Sequence, residues 1–166
     1  MRTQRFVFLT VAALATVLAG TALATMGSGV ISSTVWARAA FQVPVDIKVK
    51  VEDGSQEVLH VPDAQENVIQ QIILGPGGST GWHSHPGPAM ALIKSGQLTL
   101  YSGDDPACLG HTYSAGQAFV DEGQGHVHFG RNLSSTDNVE VWVTYLDVPP
   151  GASPRTDQPD PGNCFF

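Results

Sequence analysis

Through residues 41–145 apolar side chains recur mostly at every second position, in short runs broken by Gly, Pro, Asp or Asn. Such alternation puts one face of an extended chain into a core and the other into water, and so predicts β-strands rather than helices. The clearest runs are Val45, Ile47, Val49 and Val51, then residues 58–61, 68–74, 90–93, 98–101 and 139–145. In the last of these Val139, Val141, Val143 and Tyr145 share one face. Lys94-Ser95-Gly96-Gln97 predicts a hairpin turn, whereas Pro76-Gly77-Gly78 and Glu122-Gly123-Gln124-Gly125 predict tight bends. Many short strands in succession make an all-β sandwich or barrel. Residues 25–40 are less differentiated and fit either a lead-in strand or a linker. There is no internal repeat.

Residues 1–24 break the pattern. Arg2 and Arg5 stand without any acid before an uncharged apolar run over residues 6–19, and Ala22-Leu23-Ala24 supplies a small-x-small site. This succession predicts a signal peptide cleaved before Thr25. The rival is an uncleaved membrane anchor, because residues 6–24 are just long enough to cross a bilayer. Either outcome exports the rest of the chain, as a secreted or periplasmic protein or as one tethered on the outer side of a membrane. In an oxidising compartment Cys108 and Cys164, the only two cysteines, are predicted to pair. Closing so long a loop stabilises a fold by up to about 4 kcal/mol in the chain-entropy account. The bridge would pin a tail too rich in Pro and Gly for regular structure. The expected organisation is a signal peptide or anchor helix over 1–24, a lead-in segment over 25–55, a β-barrel over 56–148, and a tail over 149–166 tied by Cys164.

Composition narrows the function. The 166 residues carry 8 Lys and Arg against 15 Asp and Glu, a net charge of −7. Without Arg2 and Arg5 the exported part stands at −9. With only three lysines the chain has no electrostatic footprint for a phosphate backbone, which excludes nucleic acid as a partner. Two cysteines are too few for a zinc framework of paired thiolates.

Five of the six histidines lie between residues 83 and 128, and four of them form two His-x-His pairs, His83/His85 and His126/His128. On a strand, positions i and i+2 face the same way, so each pair can turn two imidazoles into one cavity. Clustered imidazoles suit a transition metal. His60 and His111 stand outside these pairs and read as ordinary strand or loop residues.

The stretch from Gly77 through Trp82, His83, His85 and Ala89 to Gly96 resembles the first motif of the cupin superfamily, which runs Gly, five residues, His-x-His, three or four residues, Glu, six residues, Gly. Every anchor is present except the Glu, whose place Ala89 takes. Gly125, His128 and Asn132 are similar to the end of the second motif, although Gly123 replaces its Pro and Gly116 lies one residue too far upstream for its leading glycine. The resemblance, to small exported single-domain cupins, covers about residues 56–148. It implies a cupin-type double-stranded jelly-roll β-barrel in which His83, His85 and His128 point inward to hold one divalent transition metal. Imidazoles alone do not choose among Fe, Mn, Zn, Cu and Ni. His126 is a candidate fourth ligand or a residue just behind the ligands, unless a bulge at Gly125 turns it outward. The resemblance also implies a homodimer.

The missing carboxylate has a chemical consequence. Three neutral imidazoles leave a divalent ion its full +2 charge, so the site should favour a small anionic or chelating molecule such as a carboxylate, enolate, catecholate or thiolate. With iron or copper this suits a metal-dependent dioxygenase. A non-catalytic small-molecule-binding or sensing module is the alternative. Asp121 and Glu122, next to a Gly-rich bend, read as solvated turn residues. Trp82, Met90, Phe119, Phe129, Trp142 and Tyr145 are candidates for pocket lining or plain core.

Overall fold

A computed structural model describes residues 23–51 and 57–166 of the chain. The expected signal or anchor helix falls largely in residues 1–22, outside the described residues. No helix of the described residues is long and apolar enough to cross a membrane.

The described chain is all β. Strand β1 (Ser28–Ala40) leads in, and a separate antiparallel hairpin follows, made of β2 (Ile47–Val51) and β3 (Glu57–Val61). Then come the long β4 (Glu66–Ser79), the short β5 (His83–Ser84), β6 (Ala89–Ser95) and β7 (Gln97–Ser102). The remainder is β8 (His111–Ser114), β9 (Ala118–Asp121), β10 (His128–Arg131), β11 (Val139–Val148) and β12 (Thr156–Asp157). Ten strands form one curled, barrel-like sheet. On one side β1, β4, β11, β6 and β9 lie side by side, on the other β12, β5, β10, β7 and β8, and β4 joins the two through its Ser79 contact with Arg131.

The alternation seen in the sequence sets this curvature. Val139, Val141, Val143 and Tyr145 of β11 all point inward, as do Ala89, Ala91 and Ile93 of β6. With Val68, Leu74 and Leu98 they form one core. The intervening residues face out.

One open alternative is resolved and one local expectation changes. The undifferentiated stretch at residues 25–40 is largely a strand, β1, paired along β4 from Ser28 to Ala40. Lys94 to Gln97 is no hairpin. Strand β6 pairs with β11 and β9, whereas β7 pairs with β10 and β8, so Gly96 is a corner at which the chain changes sides. Its φ of 73° and the Asn138 carbonyl, which a Cβ there would meet at 2.4 Å, both require glycine. Residues 149–166 are equally well placed. They cross back over the barrel mouth, where β12 adds to β5, and end at a Cys108–Cys164 disulfide.

Candidate metal site

Chain-distant segments deliver three imidazoles to one point. His83 sits on β5, His85 follows two residues later, and His128 opens β10 directly opposite His83 in register. Their ring centroids are 4.2 Å (His83 to His128), 4.9 Å (His83 to His85) and 5.0 Å (His85 to His128) apart. All three are buried, and one ring nitrogen from each lies within 4.8 Å of the others.

The outward nitrogens are fixed by oxygen atoms. His83 Nδ1 donates to the Gly81 carbonyl at 2.9 Å, and His85 Nδ1 donates to the Pro154 carbonyl at 2.7 Å. Carbonyls only accept, so both rings carry their proton on Nδ1 and leave Nε2 as the free base. Burial, together with the neighbouring His128 and Arg155, pushes His83 well below its ordinary pKa. Burial first and His128 second lower His85 to about 4. Both are therefore neutral near pH 7, the state a metal ligand needs.

The third outward nitrogen meets a carboxylate. His128 Nδ1 lies 2.9 Å from Asp121 Oδ2, an ion-pair distance, although off the line of a straight N–H···O bond. Asp121 is 5% exposed, which overturns its reading as a solvated turn residue. Its Oδ1 accepts the Gly123 N–H at 2.9 Å, and its Oδ2 also lies 3.2 Å from His126 Nδ1. Burial raises the Asp121 pKa, but the His126 ring that bonds it and the His128 ring beside it outweigh this and hold the carboxyl far below its usual range. The bond to Asp121 in turn raises His126.

His126 does not join the three-imidazole cluster. Strand β10 begins only at His128, so the i, i+2 alternation does not reach back to 126. The bend at Gly123, Gln124 and Gly125, all at positive φ, sets the ring beside Asp121 instead. Its Nε2 lies 2.9 Å from Ser102 Oγ. Asp121, His126 and His128 form a second compact group of ligand-type atoms. His60 and His111 lie elsewhere, His60 on the β2–β3 hairpin and His111 against Tyr113.

A cavity of about 50 Å³ adjoins the cluster, floored by Ile72, Leu74, Leu98 and Val141 and walled by Phe119, Asp121 and Tyr145. Tyr145 packs its ring 4.9 Å from His85 and donates to Gln70 Oε1 at 2.9 Å. Burial lifts its phenol above the usual value, so it stays protonated. A neighbouring cleft reaches His83 between β1 and the tail, past Ser33, Gln70 and Arg155. Of the aromatic candidates only Phe119 and Tyr145 line the inner cavity. Trp82 is buried against Phe129, whereas Met90 and Trp142 lie on the outer face of the sheet, Trp142 stacked on Trp36.

A family model described as the cupin domain matches residues 70–149. Those residues, just under half of the chain, match the cupin family. Solved structures similar to this chain include a double-stranded β-helix protein from Klebsiella pneumoniae, at 16% identity and TM-score 0.45, covering 72% of this chain and 87% of that one. A cupin domain from Bordetella pertussis has 18% identity and TM-score 0.43, with 65% of this chain and 99% of that one covered. An oxalate oxidase has 22% identity and TM-score 0.42, and the match covers 49% of this chain but only 41% of the oxidase. No curated protein matches the chain.

Proposed function

We propose that this protein is an exported cupin that holds one divalent transition metal on His83, His85 and His128 and binds a small anionic molecule beside it. The observation that carries the reading is the set of three buried, convergent imidazoles, two with Nδ1 held by a carbonyl and the third with Nδ1 beside the Asp121 carboxylate, which turns Nε2 of each ring toward an ion. Three protein ligands leave coordination positions open toward the cavity. The cavity suits a small second occupant. Iron or copper held there would supply redox chemistry toward dioxygen, and zinc a Lewis acid. Around the ion Tyr145 offers a neutral hydroxyl and the floor is apolar, while Arg155, paired with Asp157, lines the neighbouring cleft that reaches His83.

Export rests on the N-terminal succession of basic, apolar and small residues, and the disulfide fits an oxidising compartment. Cleavage after Ala24 would keep Thr25, whose hydroxyl accepts the Trp82 N–H at 2.7 Å.

The test is metal analysis of the exported, disulfide-bonded protein beside His83→Ala and His128→Ala. One ion per chain in the wild type and almost none in the variants is the expected result. Equal content in all three would overturn the site. Oxygen uptake by the iron- and copper-loaded protein with small enolates, catechols and thiols then separates an oxygenase from a binding module. Sequencing the mature N-terminus is expected to begin at Thr25.

A further inference from the structure

The family pattern places a carboxylate at position 89, where this chain has Ala89. Strand β9 pairs with β6 in antiparallel register, and the residue directly opposite Ala89 is Asp121. Directly opposed residues on such a ladder put their side chains on the same face, with Cβ atoms about 5 Å apart. Both residues line the cavity beside the histidines. The chain has thus lost a carboxylate on one strand and carries one on its neighbour, aimed into the same space.

Its reach differs from that of a Glu at 89. Two of the three outward histidine nitrogens meet neutral carbonyls, and the third, His128 Nδ1, meets the Asp121 carboxylate. Asp121 is itself clamped from two sides, by the Gly123 N–H and by His126, whose other nitrogen contacts Ser102. So much support around one buried carboxylate goes beyond what a turn requires. We propose that Asp121 is a positioning residue that supplies, through the His128 ring, the negative charge that position 89 no longer provides to the metal site. The proposal rests on the three-histidine metal reading above. A divalent ion on three neutral imidazoles would then have one carboxylate one ring away, leaving a net local charge of +1 rather than +2. Anionic ligands remain favoured.

Cobalt(II) titration of the exported, disulfide-bonded protein, followed by visible absorption, tests this without any substrate. Asp121→Asn is expected to bind cobalt about 10- to 100-fold more weakly, the usual loss when the partner behind a ligating histidine is removed, with shifted ligand-field bands. Asp121→Asn/Ala89→Glu, which returns the carboxylate to the family's position, should recover affinity to within a few-fold. Asp121→Glu, which keeps the charge on β9, is the second rescue. Circular dichroism melts check that each variant is folded. Wild-type cobalt binding by Asp121→Asn, with binding lost in His83→Ala, would overturn the role of Asp121 and leave the metal site standing. Recovery in neither rescue variant would also overturn it. No cobalt binding by the wild type, or unchanged binding in His83→Ala, would overturn both.

Discussion

Asn132, only 1% exposed, uses its side-chain amide to hold together three carbonyls, those of Leu74, Gly75 and Asp137, and accepts the Ser134 N–H. It has no route to the metal site and fixes instead the loop between β10 and β11. Asn132→Ala strands these groups away from water and is expected to cost about 2–3 kcal/mol, read as a lower midpoint in urea unfolding. Single residues also show where sequence reasoning stopped. His83, His85 and His128 were legible because their spacing is unusual and their motif is shared. Asp121 was not, because an acid beside a Gly-rich bend is normally solvated. Its burial depends on a register, Ala89 against Asp121, that appears only once β6 and β9 are paired. The one local sign was alternation with Phe119, which faces the same cavity.

Strands were easier to read than their neighbours in space. The period-two runs mark β3, β6 and β11, which bury one face, and β2, β4 and β7, which are half-buried or buried in part. Strand β1 stayed open between strand and linker because its residues are almost all exposed, so no alternation is imposed on it. Sheet membership at Gly96 escaped because a positive-φ glycine serves a hairpin and a corner equally well. The bend at Gly123 was visible, and the structure shows what it does. A Cβ there would fall 1.9 Å from the Gly87 carbonyl oxygen at a φ of 64°, and the Gly123 N–H holds Asp121. Gly123→Ala should therefore lower the melting midpoint, with a loss on the order of 1–3 kcal/mol for the backbone strain alone, and loosen cobalt binding at the same time. A melt without the binding change would separate the turn from the site.

Across the whole molecule the tail connects stability to the site. Its Pro154 carbonyl holds His85, its β12 strand pairs with β5, and Phe166 packs on Tyr101 and Phe129 beyond the disulfide. Cys108→Ser/Cys164→Ser is expected to cost about 2–4 kcal/mol in denaturant unfolding and to speed metal loss to a chelator. Metal bound only by the native state raises its stability with concentration. Added zinc should accordingly lift the melting midpoint of the wild type and leave His83→Ala unmoved; an equal shift in both would place the ion elsewhere.

The position of Pro154 also imposes an order of events. It lies 69 residues beyond His85 in the sequence, so a polypeptide emerging N-terminus first presents His83 and His85 before the carbonyl that orients His85. The arrangement of His85 is completed only when the segment that carries Pro154 has docked. On the metal reading proposed above, an ion captured with full affinity is drawn from the pool in which the chain finishes folding, so the metal supply there, rather than ligand chemistry alone, decides which element the site carries.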